Sequence, residues 1–167
     1  IPVEPEPRGL ARSVDGQWLW VTHFFTGRVS RIDLTERRVV RTIETGSDTN
    51  ALQKIAIHPS NGRAYLPHIR SNVGNRFRLF DTTVFPAVSV LDLSTFTHLP
   101  RERIDLSLGL TVANLPFDVT FSPDGTQMYV INLGSGDVMA YDLATGYRTA
   151  TIDVGHGPRG MAVSGDG

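Results

Sequence analysis

The chain contains no cysteine. This absence excludes disulfide bonds, thiolate zinc sites, cysteine nucleophiles and covalent attachment of c-type haem within these 167 residues. It leaves the compartment open, because a chain without cysteine is compatible with both oxidising and reducing surroundings. The sequence also shows no Ser–His–Asp arrangement, no phosphate-binding glycine loop and no metalloprotease motif.

An excess of charge of one sign is missing too. Sixteen Lys and Arg residues stand against seventeen Asp and Glu residues, so the formal net charge is -1. This balance gives no electrostatic reason to expect nucleic acid or an anionic membrane as the partner. No apolar run approaches the roughly 20 residues that cross a bilayer. We therefore expect no nucleic-acid partner and no membrane span.

Helical periodicity is absent over any stretch of about 11 residues, and short strands with tight turns stand in its place. Four segments end in a turn with Asp-Gly or Asn-Gly, dipeptides that supply the positive φ angles of tight hairpins. These segments are 10–16, 55–62, 119–125 and 161–167. Their final glycines are 46, 63 and 42 residues apart, which indicates an internal repeat.

Each complete repeat continues with three more predicted strands in a fixed order. The second strands lie at 18–22, 64–66 and 128–131, the third at 29–34, 88–93 and 138–143, and the fourth at 39–43, 103–106 and 148–152. Four antiparallel strands that recur in this order predict β-propeller blades, whereas a β-sandwich would not repeat one four-strand unit. We expect an all-β fold with about three four-stranded blades plus the first strand of a fourth, which makes an incomplete ring.

The predicted domain is a single partial propeller over residues 1–167. Its blades span about 8–50, 51–115 and 116–157, and the next blade starts at 158–167. The third strands end on Asp33, Asp92 and Asp142, which we expect to cap the backbone of the following turn. In contrast, His58, His98 and His156 stand alone in predicted turns and are expected at the surface.

One motif at the end of each second strand resembles the YVTN family of bacterial β-propeller repeats. It is Trp20-Val21-Thr22-His23 in the first repeat, Tyr65-Leu66-Pro67-His68 in the second and Tyr129-Val130-Ile131-Asn132 in the third. The flanking Ser-Pro-Asp-Gly and Ile-Asp-Leu elements match as well. The resemblance covers almost the whole chain and implies a propeller.

The second repeat carries a narrower likeness. Its segments 65–73 and 80–86, and the later 114–118, are similar to YVTN propellers that precede di-haem cytochrome c peroxidase-like domains in some bacterial proteins. That likeness implies a periplasmic or extracellular location and an adjoining domain as partner. Because no Cys-x-x-Cys-His motif is present, we expect no cofactor in this chain, and haem only in an adjoining domain.

An incomplete ring leaves a blade face open at each end. Blades bury their faces on their neighbours, and a large exposed apolar face is rare in soluble monomers. Two interpretations remain: the chain is a fragment of a longer propeller, or copies associate so that open ends cap each other. Under either interpretation we expect this chain to associate with itself, so that its open blades are capped.

Three sets of residues are candidate sites. Because they occupy the same slot of successive repeats, His23 and His68 are candidate metal ligands, although polar residues there also satisfy turn backbone. In matching Pro-Arg-Gly sequences, Arg8 and Arg159 would suit a carboxylate or phosphate at the central channel, or simply be solvated.

The third candidate is the insertion at 70–86 in the second repeat. It interleaves arginine with phenylalanine, a combination enriched at protein interfaces, and we expect a ligand or partner to contact it. The residues concerned are Arg70, Arg76, Phe77 and Arg78. Alternatively, its phenylalanines pin the loop onto the blade.

Two functions compete on this sequence. The leading hypothesis is a non-enzymatic propeller module that binds or docks a protein or small-ligand partner, in the context of a haem peroxidase-like protein. The alternative is a metal-dependent propeller enzyme with its site at the channel mouth, around His23 and His68. The missing catalytic constellation favours the first.

Overall fold

The computed structural model describes residues 1–72, 84–108 and 113–166. The fold in these ranges is all-β, with three antiparallel sheets in chain order. Their only helical element is a 3-10 turn at Pro100–Glu102, and no helix there is long and apolar enough to cross a membrane. The predicted fold class is confirmed.

The first and third sheets are regular four-stranded blades. Blade 1 has the order β1-β2-β3-β4, with β1 at Pro7–Arg12, β2 at Trp18–His23, β3 at Arg28–Asp33 and β4 at Arg38–Glu44. Blade 3 has the order β11-β12-β13-β14, with β11 at Pro116–Phe121, β12 at Gln127–Asn132, β13 at Asp137–Asp142 and β14 at Arg148–Asp153.

Blade 2 keeps the same plan but breaks its two outermost strands. Its central hairpin consists of β7 at Arg63–Ser71 and β8 at Val84–Asp92. On one side β7 pairs with β5 at Thr49–Asn50 and β6 at Ala56–Ile57, and on the other β8 pairs with β9 at Thr97–His98 and β10 at Ile104–Asp105.

The strand register shows which residues of the three blades occupy equivalent positions. Trp20 of β2 pairs with Ala11, Tyr65 of β7 with Ala56, and Tyr129 of β12 with Thr120. We call the face of a blade that looks toward the preceding blade its front face, and the opposite one its back face. Alternation along the strands sends each of these aromatic rings to the back face.

Two apolar clusters join the blades. Between blades 1 and 2, the back-face residues Trp20 and Val29 pack against Leu66 and Leu91 on the front face of blade 2. Between blades 2 and 3, Tyr65 and Val88 meet front-face residues that include Met128, Val130 and Tyr141. The core is therefore made of interfaces between blades, as the repeat predicts.

The predicted first strand of a fourth blade lies in residues 158–166. This segment approaches blade 3 but forms no strand within the described residues. In blades 1 and 3 the strand at this position pairs with the second strand of its own blade. Residues 158–166 thus match the first-strand pattern of the earlier repeats but do not pair as a strand.

Candidate functional site

The histidine slot lies inside the blades. His23 and His68 are both 0% exposed. His23 Nε2 lies 2.9 Å from Ser30 Oγ, and His68 Nε2 lies 2.8 Å from Ser89 Oγ. The two contacts are equivalent, since each joins the last part of the second strand to the third strand of the same blade.

Both imidazoles also meet a backbone carbonyl. His23 Nδ1 is 3.3 Å from the carbonyl oxygen of Pro5, and His68 Nδ1 is 3.2 Å from that of Ile69. Burial lowers the pKa of His68 to about 4, so this ring is neutral at pH 7. In the third blade, Asn132 fills the slot and donates to Asp137 Oδ1 at 2.7 Å.

Both ring nitrogens of His23 and of His68 thus have a partner, whereas Asn132 Oδ1 is buried without a hydrogen-bond partner among the described residues. In the ranges that the structure describes, no group of three or more His, Cys, Asp or Glu side chains is placed to hold a metal ion. A metal bound by His23 and His68 stays a prediction.

The two Pro-Arg-Gly arginines are Arg8, near the start of β1, and Arg159, in the segment that forms no strand. Arg8, Gln53, Phe117 and Arg159 occupy the same position of successive repeats. Arg8 is exposed, with its guanidinium 4.9 Å from the Phe24 ring centroid and 3.4 Å from Glu6. Arg159 is exposed as well. An anion at these arginines stays a prediction.

The next position along the inner strands shows how closely blades approach. A Cβ on Gly9 would lie 2.7 Å from the carbonyl oxygen of Gln53 and 2.8 Å from Cα of Lys54, so only glycine fits there. In blade 3 the equivalent is Asp118, whose pKa is raised by burial against the lowering influence of Lys54. The inner strands thus combine tight packing with a half-buried carboxylate.

The insertion of blade 2 is anchored at its base. Arg70 donates through Nε to Asp48 Oδ2 at 2.7 Å, and its guanidinium lies 5.9 Å from the Phe85 ring centroid. Arg103 also approaches Asp48, at 3.9 Å. Arg70 therefore ties the hairpin to the β4–β5 connection. The other candidates of this loop, Arg76, Phe77 and Arg78, lie outside the described residues.

A groove of about 580 Å³ opens between the outer edges of blades 2 and 3. Its walls are residues 101–108 of blade 2 and the β13–β14 turn of blade 3. We call it the rim groove, and the residues that define it are Arg63, Arg101, Glu102, Asp105, Leu108 and Tyr147. Its volume falls in the usual range for ligand pockets.

The rim groove has the residue types of an interface. Tyr147 is 75% exposed and Leu108 is 70% exposed, while Arg63 and Glu102 form an ion pair beside them. Exposed tyrosine and arginine are enriched where proteins bind partners. No sequence motif marks this groove, because its two walls lie some forty residues apart and only the packing of blade 3 on blade 2 brings them together.

Of the three turn histidines expected at the surface, His156 is exposed, His98 is half-buried in β9 and His58 is buried. The expectation was therefore most wrong for His58. It is 6% exposed and packs on Phe121 with ring centroids 4.9 Å apart. Its Nε2–H donates to the carbonyl oxygen of Gly125 at 2.8 Å, while Nδ1 accepts from the amides of Ser60 and Asn61. His58 is thus a clasp between blades 2 and 3, and the His-Pro dipeptide in place of Ser-Pro was its only sequence signal.

Comparison with known proteins supports the fold. No family model matches the chain. It is 30% identical to the seven-bladed beta-propeller protein Rv1057 of Mycobacterium tuberculosis over 164 residues, which is 95% of this chain and 35% of the relative. The chain thus spans about a third of the length of that curated relative.

Two solved structures resemble the chain in fold. Hydrazine synthase of Kuenenia stuttgartiensis aligns with a TM-score of 0.78 and 17% identity, over 91% of this chain and 51% of that one. A putative 6-phosphogluconolactonase of Bacteroides fragilis aligns with a TM-score of 0.59 and 18% identity, over 92% and 41%. At such identities the likeness concerns the fold alone. Together with the repeated four-strand topology, these comparisons show that the chain is built of β-propeller blades.

Proposed function

We propose that this chain is a non-enzymatic binding module that docks a protein partner in the rim groove. The observation that carries the proposal is the groove itself, which places the exposed Tyr147 and Leu108 beside arginines between two rigid blades. A rigid scaffold that presents an exposed aromatic anchor loses little entropy when a partner binds.

The residues that line the rim groove indicate what kind of partner would fit it. Arg101 is exposed on one wall and Tyr147 on the other, so a partner that fits would offer an acidic side chain next to an apolar one. In the described part of the chain, the titratable groups of the groove do not assemble into a nucleophile with a base. Binding is therefore the function that this geometry supports best.

The resemblance to YVTN propellers that precede peroxidase-like domains makes the proposal more specific. The module belongs to a YVTN-type repeat protein, acts in the periplasm or outside the cell, and docks an adjoining haem peroxidase-like domain. The long hairpin of blade 2, anchored through Arg70 and Asp48, is the second part of this chain that would contact that domain.

Site-specific photocrosslinking tests the groove. A benzoylphenylalanine at Tyr147 is expected to cross-link a protein with a peroxidase-like haem domain in cells that make the full polypeptide. The matched control is the same group at Arg38, which occupies the equivalent exposed position of the blade 1 turn. Arg101→Glu in the Tyr147 variant is expected to lower the yield.

The outcomes separate the parts of the proposal. Equal cross-linking from both positions, or none from Tyr147, would overturn docking in the rim groove. Cross-linking from Tyr147 alone, to a protein without haem, would support docking in the rim groove but contradict a peroxidase-like partner.

A further inference from the structure

The turn after the third strand faces the preceding blade in both of the interfaces between blades. This turn begins at Asp92 in blade 2 and at Asp142 in blade 3, and four residues later each reaches a positive φ, at Phe96 with 50° and at Gly146 with 72°. Phe96 and Gly146 therefore occupy equivalent places, one between blades 1 and 2 and the other between blades 2 and 3. At this place the two interfaces differ by a phenyl ring.

Phe96 fills its place between blades 1 and 2. The side chain is 0% exposed and belongs to the apolar cluster that joins these blades. Its ring centroid lies 5.1 Å from the guanidinium carbon of Arg31 and 5.8 Å from that of Arg41, distances at which a cation is attracted to an aromatic face. An aromatic ring beside arginines thus closes the outer part of this interface.

Gly146 leaves the equivalent place open between blades 2 and 3. The residue is exposed and lines the rim groove, and among the described residues nothing lies within 4 Å of a Cβ placed on it. The volume of the groove, about 580 Å³, is well above the roughly 150 Å³ of an apolar cavity that holds a benzene molecule. The rim groove thus opens where the other interface holds a phenylalanine ring.

The opposite wall of the groove offers suitable contacts for such a ring. The second strand of blade 2 lines the groove with Arg63 and Tyr65. By register these are the equivalents of Trp18 and Trp20, which belong to the cluster that contains Phe96. A ring in the groove would therefore meet an arginine and an aromatic side chain, the residue types that Phe96 meets on blade 1.

Arg101 adds a preference for negative charge. It is exposed on the same wall and forms no ion pair in the part of the chain that the structure describes, whereas Arg63 is paired with Glu102. A carboxylate next to the inserted ring would give the Arg101 guanidinium a charged hydrogen-bond partner. The groove is therefore complementary to an aromatic residue that has an acidic neighbour.

We propose that the rim groove receives one aromatic side chain of the protein partner, presented beside an acidic residue, in the place that Phe96 fills between blades 1 and 2. This inference rests on the proposed docking function and specifies what the partner inserts. An aromatic anchor seated in a pocket is the kind of contact that dominates the binding energy of protein interfaces. The inserted ring would continue the existing interface between blades 2 and 3 outward.

Two dipeptides test the aromatic site on the unchanged chain. The probes are acetyl-Asp-Phe-amide and acetyl-Asp-Leu-amide, which carry the same charge and differ in one side chain. In amide NMR titrations we expect saturable shifts at Gly146 and Tyr147, with about fivefold tighter binding of the phenylalanine peptide. Arg101→Ala is expected to weaken both peptides about threefold, because it removes the partner of their aspartate. Equal binding of the two peptides, or no saturable shift from either, would overturn the proposal.

Filling the groove from within the chain gives a second test. Gly146→Phe supplies a ring at a positive φ that Phe96 already adopts, and Gly146→Ala is the matched control, with a similar backbone cost and no ring. The phenylalanine variant is expected to melt about 3–10 °C above the alanine variant, because its ring becomes buried. It is also expected to bind the phenylalanine peptide about tenfold more weakly than the unchanged chain, while the alanine variant stays within about twofold. A phenylalanine variant that melts no higher than the control, or that still binds the peptide, would contradict the aromatic site.

Cross-linking distinguishes this inference from the docking function on which it rests. With benzoylphenylalanine at Leu108, on the wall opposite Gly146, Gly146→Phe is expected to abolish the cross-link to the partner and Gly146→Ala to preserve it. A cross-link that persists in Gly146→Phe would support docking in the groove and overturn the insertion of a ring. Binding of the phenylalanine peptide without any cross-link from Tyr147 or Leu108 would support the aromatic site and overturn docking of a protein.

Discussion

Blade 2 differs from blades 1 and 3 most clearly at the turn after its third strand. All three turns begin with an aspartate whose Oδ1 accepts backbone amides, as the sequence predicted, at Asp33, Asp92 and Asp142. All three then reach a residue with positive φ, namely Arg37 at 54°, Phe96 at 50° and Gly146 at 72°. Arg37 and Gly146 are exposed, but Phe96 is 0% exposed.

The difference shows packing overriding backbone preference. A left-handed conformation costs a residue with a Cβ roughly 1–2 kcal/mol, whereas full burial of a phenylalanine side chain stabilises by about 1.5–3 kcal/mol. Phe96 also lies 5.1 Å from the Arg31 guanidinium and 5.8 Å from that of Arg41, both on blade 1. The turn of blade 2 therefore serves as part of the interface with blade 1.

Removing the Phe96 side chain from this interface is expected to have the largest effect on the free energy of unfolding. Phe96→Ala is expected to lower the free energy of unfolding by about 3–5 kcal/mol, because it empties a fully buried site between two blades. Urea unfolding followed by tryptophan fluorescence measures it, since Trp18 and Trp20 belong to the same cluster. Arg37→Ala, at the same turn position in blade 1, is expected to stay within about 0.5 kcal/mol. Equal losses in both variants would contradict the comparison.

The buried histidine of blade 2 gives the next largest effect. The pKa of His68 is about 4 in the folded chain and 6.5 in the unfolded one, so below pH 6.5 the unfolded state binds a proton that the folded state does not. Stability contributed by His68 is therefore complete above pH 6.5 and falls by about 3 kcal/mol as the pH drops to 4.

Asparagine stands at the position of His68 in blade 3, so replacing His68 by asparagine compares the two blades directly. His68→Asn removes the titrating group, so unfolding free energies measured from pH 7.5 to 4 should fall less steeply than in the unchanged chain. The charged and titratable groups around His68 are Arg103, Asp48 and His98, which the variant leaves in place. An unchanged pH slope would show that His68 does not control it.

A pair of turn glycines provides the smallest and most closely matched test. Gly62 and Gly125 occupy the same turn in blades 2 and 3, with φ of 69° and 74°. A Cβ on Gly62 meets nothing within 4 Å, but one on Gly125 would lie 2.6 Å from Cε1 of His58. Gly62→Ala should cost about 1 kcal/mol for its φ alone, and Gly125→Ala about 1–2 kcal/mol more, because it also disturbs the clasp. Equal losses of unfolding free energy in the two variants, measured by thermal or urea unfolding, would show that the His58 clasp does not stabilise the interface between blades 2 and 3.

Much of the fold could be predicted from local pattern. Asp-Gly and Asn-Gly turns fix where hairpins reverse, and strand alternation fixes which residues share a face, so the order of the strands followed from the sequence. The break between β5 and β6 did not, because its positive φ falls on Ala51, a residue type that gives no turn signal. Likewise Phe96 sits among ordinary turn residues, and its burial depends on Arg31 and Trp18 of another blade.

The candidate sites were less predictable than the fold. Equivalent positions of His23 and His68 were correctly placed in one slot, but their serine partners lie on the next strand and became visible only with the register. The rim groove depends on the contact of two blades and has no motif of its own.

The sequence by itself determined a repeating four-strand unit, because tight turns and alternation are properties of neighbouring residues. Only the tertiary structure decided which copies of an equivalent position are buried. Leu10 and Ile55 follow the same pattern, yet one is exposed and the other buried. The reason is physical: burial of a blade residue is set by the blade that packs on it, which local sequence does not encode.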